Sequence, residues 1–236
     1  MVPKSPRLTS LPAPPSMKSL FAPPTAVLGR LAAMTLDGSL PAALLGSIQH
    51  MLAGFLLAVL VAIPVGIVVG RNATVATAVE PVLNAIYTIP PVALVPFFII
   101  WFGLYFEGRV ALVFAMCFFE ILISVLQGVR DIDRGLLDAA RSLEVRGLAL
   151  YRKVVIPAAS PFIFTGLRVG IGRAVNAMIT AELFFAAVNL GKILKNSSNA
   201  FDTASLFAVI LIISLFGLAC QEGIRFAERL VIPWHH

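Results

Sequence analysis

Polar side chains set inside apolar runs are where this sequence could do chemistry. Arg173, Asn176 and Thr180 fall at i, i+3 and i+7, which places them on one face of a helix. A guanidinium, an amide and a hydroxyl in a row can pass an anion from donor to donor. They can equally bond neighbouring helices to one another, and both readings stay open. Arg168 lies earlier on the same run, where its long stem can snorkel to an aqueous boundary. Glu182 lies further along, on a face opposite Arg173, as a path residue, an interfacial carboxylate or half of a structural ion pair. Glu120, Ser124 and Gln127 form a second polar set, and Glu120 and Ser124 share a face that can pair with Arg168 or Arg173. Ionisable residues within membrane spans are functional candidates by default. Pro90-Pro91 interrupts another apolar run. A proline pair frees backbone carbonyls and breaks or bends a helix, as a gate, a hinge or a fixed bend.

Other chemistries find no footing. No phosphate-binding GxxxxGK[ST] loop occurs; Gly191-Lys192 lacks both the earlier glycine and the hydroxyl residue. His50, His235 and His236 are not clustered, and Cys117 and Cys220 sit singly in apolar runs. No metal site, disulfide framework, enzyme activity or nucleic-acid partner is therefore expected of the chain.

The elements that must position these residues are helices in a bilayer. Of 236 residues, 59% are hydrophobic and only 13% charged, about half the charge of an ordinary soluble domain. A spanning helix needs roughly 20 apolar residues. Five runs qualify: Ile48–Val69, Val82–Leu104, Val110–Val129, Ala159–Phe185 and Ala204–Ile224. They are too long and too uniformly apolar for alternating strands. The expectation is an all-α membrane protein: residues 47–236 as a transmembrane domain of five helices, and residues 1–46 as a proline-rich tail without a span. Within that tail Thr25–Met34 fits a short interfacial helix. Gly166, Gly170 and Gly172 supply small-residue spacing for close helix packing.

Lys and Arg in short loops orient such a chain. The connection between the third and fourth runs carries Arg130, Arg134, Arg141, Arg146, Arg152 and Lys153, more than any other loop. It is expected in the cytoplasm. Counting spans from it puts the N-terminus outside and the C-terminus, with Arg225 and Arg229, inside.

Within this loop, Asp133 can cap a helix from Arg134 to about Glu144, with Leu136, Ala140, Leu143 and Gly147 on one face. Two to three turns are marginal alone in water, so the helix needs a surface to pack on. The residues Asp138-Ala139-Ala140, Val154, Ile156 and Pro157 resemble the "EAA" loop of binding-protein-dependent ABC importer permeases. Asp138 stands for glutamate, Val154 for isoleucine and Ile156 for leucine, with the full spacing of nineteen residues from Asp138 to Pro157. The segments "TIPPVALVPFFIIWFGL", "GVRDIDRGLLDAARSL", "TGLRVGIGRA" and "AELF" are similar to the nitrate/sulfonate/taurine branch of that family.

The resemblance implies a type I importer-like permease bundle with a cytoplasmic coupling helix. Asp138, Ala139, Ala140, Arg141, Leu143 and Glu144 would contact a cytoplasmic ATPase. Two such ATPase subunits would carry the ATP and magnesium, and this chain would hold no cofactor. A second permease copy, most simply a homodimer, an external solute-binding protein and the lipid of the inner membrane complete the expected partners. The solute would be a small anion of the sulfonate, taurine or nitrate kind, or another small organic solute. A membrane structural or receptor-like protein, or a membrane-embedded enzyme, remains the rival class. Glu144 departs from the family pattern, which has glycine there. A side chain makes the left-handed helix exit costly, so the helix is expected to run on toward Gly147 or to leave less sharply.

Overall fold

The computed structural model describes residues 22–185 and 187–232. The first part of the proline-rich tail, with Lys4, Arg7 and Lys18, lies outside the described residues, as do His235 and His236. Among the described residues there is no strand, and nine helices account for most of them. These are α1 (Pro24–Leu36), α2 (Ser39–Gly70), α3 (Ala73–Tyr87), α4 (Pro91–Phe102), α5 (Phe106–Arg130), α6 (Arg134–Ser142), α7 (Gly147–Phe184), α8 (Asn189–Asn199) and α9 (Thr203–Val231).

Four of them, α2, α5, α7 and α9, are long and apolar enough to cross a membrane, and α3 with α4 makes a fifth if the bent pair counts as one span. The expected run Val82–Leu104 is thus a broken one. α3 begins well upstream, capped by the Asn72 side chain on the N–H groups of Thr74 and Val75. The chain then turns by 98° between α3 and α4. Pro90 and Pro91 explain the break, since neither offers an N–H to continue α3. α2 starts at Ser39, ahead of the expected Ile48, from a left-handed Gly38 at φ 78.

The core is a three-helix stack of α2, α5 and α7. Gly54, Ala58, Ala62, Gly66 and Gly70 form a buried small-residue stripe along α2. A Cβ at Gly54 would come within 2.7 Å of Val113 Cβ, and one at Gly66 within 2.8 Å of Val125 Cγ1. The stripe therefore brings the α2 backbone against the valines of α5, as small residues do between membrane helices. On the other side of α5, Gly166 of α7 lies where a Cβ would meet Ser124 Cβ at 2.9 Å. Gly170 packs on Ile121, whereas Gly172 faces Gln221 of α9.

α7 is longer than the expected Ala159–Phe185. It starts at Gly147 and passes through Pro157 without stopping. A five-residue π-helical turn over Tyr151–Val155 precedes that proline, and such a wide turn is one way to absorb an interrupted hydrogen-bond ladder. α1 is also more than an interfacial helix: Arg30 Nε donates to Ser205 Oγ at 2.7 Å and holds it against α9. α8 was not expected. It is an amphipathic helix with Leu190 and Leu194 buried, and it closes the end of the bundle opposite α6.

Candidate functional site

Arg173 sits on α7 between α3 and α5. Its Nε donates to Glu120 of α5, and its Nη2 donates to the Tyr87 hydroxyl at 3.0 Å. The guanidinium carbon also lies 5.7 Å from the centre of the Tyr87 ring, within cation–π range. Of the two expected partners for Glu120, the structure selects Arg173. Arg168, a little over a turn nearer α6, pairs instead with Glu228 of α9. Each arginine thus has its counter-charge within the chain.

Arg168, Arg173 and Asn176 share one wall of an open cavity of about 730 Å³ between α7 and α9. Ser214 and Gln221 supply polar groups from the α9 wall. Apart from Ser214, whose hydroxyl donates to the Ile210 carbonyl at 2.9 Å, each polar side chain on this lining carries a hydrogen-bond donor, and no carboxylate is among them. Arg173 also borders a narrow pocket of about 70 Å³ on its other side, with Tyr87, Leu94, Phe119 and Glu120. Asn176 is exposed, and Thr180 turns its hydroxyl back to the Asn176 carbonyl at 2.9 Å. Thr180 therefore continues the polar stripe geometrically but spends its donor on its own helix.

The remaining path candidates lie elsewhere. Ser124 is packed against Gly166 at the α5–α7 contact. Gln127 lines a separate polar cavity near α6, with Arg71, Glu80, Arg130 and Arg134. Glu182 lines neither cavity beside Arg173. It is fully buried among α2, α7 and α8, in a polar knot the sequence did not announce. Ser47 donates to its Oε1 at 2.6 Å, Asn189 Nδ2 to the same oxygen at 3.0 Å, and the Gly191 N–H to Oε2 at 2.9 Å. His50 Nε2 stands 3.7 Å away, while its Nδ1 faces the Gly46 carbonyl at 3.1 Å. A buried carboxylate is tolerated only with such a set of donors. Pro90 and Pro91 lie at the α3–α4 elbow, with Thr88 and Ile89 between them and the Tyr87 that Arg173 holds.

α6 projects from the basic end of the bundle. Asp133 caps it, accepting from the Gly135 N–H at 2.8 Å. At its other end the Glu144 N–H reaches the Arg141 carbonyl and the Val145 N–H reaches the Ala140 carbonyl, both at 3.0 Å. This double closure is a Schellman motif, with Glu144 itself at φ 58 in the position glycine usually fills. The expectation of a helix running on to Gly147 is therefore wrong. The glutamate takes the left-handed conformation, and Gly147 adopts a second one at φ 57. Two such residues reverse the chain sharply into α7.

The chain covers only part of the α6 apolar face. Ala140 is buried and Leu137 packs on the core, but Leu136 is 46% and Leu143 77% exposed. Asp138 and Arg141 pair with each other at 3.0 Å on the outer surface, beside Ala139, which is exposed too. The site residues that sequence reasoning missed are Tyr87, Ser47, His50, Asn189 and Glu228. Of these only Tyr87 carried a signal, as a polar aromatic just before a proline break.

The sequence profile of the "Binding-protein-dependent transport system inner membrane component" family matches residues 62–221. The chain is similar to the taurine transport system permease protein TauC of Escherichia coli (strain K12), with 30% identity over 218 residues, 90% of this chain and 79% of the relative. It is also similar to the nitrate import permease protein NrtB of Leptolyngbya laminosa, with 28% identity over 187 residues, 79% of this chain and 67% of the relative. Among solved structures, a chain of the inward-facing MetNI methionine ABC transporter superimposes with a TM-score of 0.71 at 16% identity, covering 84% of this chain and 98% of that one.

Proposed function

This chain belongs to the family of binding-protein-dependent transport system inner membrane components, and from that premise we propose a substrate, an orientation and an assembly for it. It is a multi-pass inner-membrane permease of an ABC importer, the subunit that forms the path and not the ATPase. We infer that its solute is a small oxyanion of the sulfonate, taurine or nitrate kind. Relatives named for taurine and nitrate support this, and the observation that carries it is the α7–α9 cavity, lined by two guanidiniums and no carboxylate.

In this reading the α6 end faces the cytoplasm. Arg130, Arg134, Arg141, Arg146, Arg152 and Lys153 lie in the connection between α5 and α7, and Arg225 and Arg229 at the end of α9. That bias is the topology signal of bacterial membrane proteins. The N-terminus is then outside and the C-terminus cytoplasmic. Leu136 and Leu143, with the Asp138–Arg141 pair between them, form the docking surface for a cytoplasmic ATPase. Two ATPase subunits, holding ATP and magnesium, act on two copies of this chain. An external binding protein delivers the solute at the α8 end. Closure of the ATPases pushes α6 as a rigid body and alternates access along α7.

The test is reconstitution. The permease, its ATPase and its binding protein in proteoliposomes loaded with ATP and magnesium should accumulate taurine, an aliphatic sulfonate or nitrate. Uptake of none of the three, from a complex that hydrolyses ATP, would overturn the substrate class.

A further inference from the structure

A guanidinium has five N–H donors, and Arg173 uses two of them: Nε on Glu120 and one Nη2 proton on Tyr87. Among the described residues nothing bonds its Nη1. The 730 Å³ cavity that Arg173 lines also presents Arg168, Asn176, Ser214 and Gln221. Glu120 and Glu228, which neutralise the two arginines, stand outside that lining. Between its apolar residues the cavity therefore offers donors from Arg168, Arg173, Asn176 and Gln221, with Ser214 spending its hydroxyl on the Ile210 carbonyl, while the charge of the arginines is cancelled from behind. An unopposed arginine pair would hold an oxyanion tightly. One with counter-charges outside the cavity still offers directional hydrogen bonds but little net field.

We propose that the free edge of Arg173 is a low-affinity oxyanion site in the transport path, and that Glu120 is the built-in counter-charge that keeps it weak. The proposal rests on the oxyanion reading above and adds what sets the affinity. A pathway site must bind well enough to admit its ion and weakly enough to release it. Tyr87 takes one Nη2 donor at the end of α3, and so leaves the two Nη1 donors and one on Nη2 for a ligand. The three remaining donors lie in the plane of the guanidinium, which suits the several oxygens of a sulfonate or nitrate better than a spherical ion.

The prediction concerns affinity, so binding is read without the external protein. The purified permease–ATPase complex is titrated with potassium nitrate and with taurine at constant ionic strength, and ligand-dependent thermal stabilisation is followed. Glu120→Gln should lower the midpoint concentration on the order of tenfold, the repulsion of one carboxylate across a partly screened site. Arg173→Gln should raise it at least as much, and in the double variant the gain from Glu120→Gln should vanish. In proteoliposomes Glu120→Gln should also slow maximal uptake, because a tighter site releases more slowly; a role in packing alone would not tighten binding. An assembled Glu120→Gln complex with an unchanged or raised midpoint overturns the proposal. If that variant does not assemble, Tyr87→Phe keeps the ion pair and frees one donor. It should lower the midpoint roughly two- to threefold, a modest hydrogen-bond effect, and no change there overturns the proposal as well. Wild-type proteoliposomes that move none of the three anions point to a wrong substrate class. Uptake with midpoints indifferent to Glu120 rejects this inference alone.

Discussion

The backbone N–H of Val145 reaches the carbonyl of Ala140 at 3.0 Å and closes α6 around Glu144. The bond needs a left-handed residue between its ends, and Glu144 serves at φ 58. A side chain in that region costs roughly 1–2 kcal/mol, partly offset by the lower unfolded-state entropy of a residue that is not glycine. Glu144→Gly should therefore leave the α6 exit in place and raise stability by about 0.5–1 kcal/mol. Co-purification with the ATPase and a thermal melt check it. Loss of the complex on this change would mean that the Glu144 side chain is itself a contact.

Glu182, fully buried, accepts from Ser47, Asn189 and Gly191. Removing it strands those donors, at about 1–3 kcal/mol for each left unsatisfied. Glu182→Ala is expected to cost on the order of 3–5 kcal/mol and to reduce the yield of monodisperse protein. Glu182→Gln, which keeps the shape and an acceptor, should cost less. Size-exclusion profiles and melting temperatures rank the two, and an Ala variant as stable as wild type would show that the knot bears no structural load.

Gly54 faces Val113 with no room for a methyl group. Gly54→Ala should force α2 off α5 and cost roughly 1–3 kcal/mol, the usual range for overpacking. Gly223, with open space beside it, is the matched control, since alanine is the better helix former. A melt that ranks Gly223→Ala below Gly54→Ala would contradict the packing described for α2 and α5.

Asp202 caps α9 and meets Arg30 of α1. Hydrogen bonds from Ser205 hold its carboxyl below the ordinary range, burial opposes them weakly, and Arg30 adds to the lowering. A carboxylate depressed in the folded state contributes stability above its unfolded value and loses it as pH falls through the folded one. The attachment of α1 to α9 should thus be insensitive to pH across the neutral range and weaken only in acid, below the ordinary carboxylate pKa. Arg30→Gln should weaken it at all pH values. Limited proteolysis near Asp37 across a pH series reads both. Loosening already at pH 6 would contradict the assignment to Asp202.

Much of this architecture was legible because long apolar runs leave a membrane chain few alternatives. α2, α5, α7 and α9 follow from such runs, and the elbow from Pro90-Pro91. The helix cap at Asp133 and the spacing to Pro157 located α6 before any coordinate. What stayed hidden depends on residues far apart in sequence. His50 and Glu182 are 132 positions apart (182 − 50), and no local pattern pairs them. Tyr87 reached Arg173 only because the chain turns at the prolines beyond it. α8 was missed for another reason: its Leu190 and Leu194 repeat at helical spacing, but they stand among lysines, asparagines and serines that read as a loop. Glu144 shows the limit of propensity. Two backbone hydrogen bonds at a tight reversal hold a residue where its own preference would not put it.

Helix α7 is continuous from Gly147, beside α6, to Phe184, and the buried carboxylate of Glu182 fastens its far end to α2 and α8. Under the proposed push on α6, a rigid rod fastened at that end would act as a lever with its fulcrum at Glu182. At about 1.5 Å per residue, Gly147 lies roughly 52 Å from that pivot and Arg173 roughly 14 Å. A swing of the α6 end therefore reaches Arg173 reduced to about a quarter. Arg173 meets its partners over hydrogen-bond distances, so a stroke of a few ångströms at α6 is scaled to the size of its bonds to Glu120 and Tyr87.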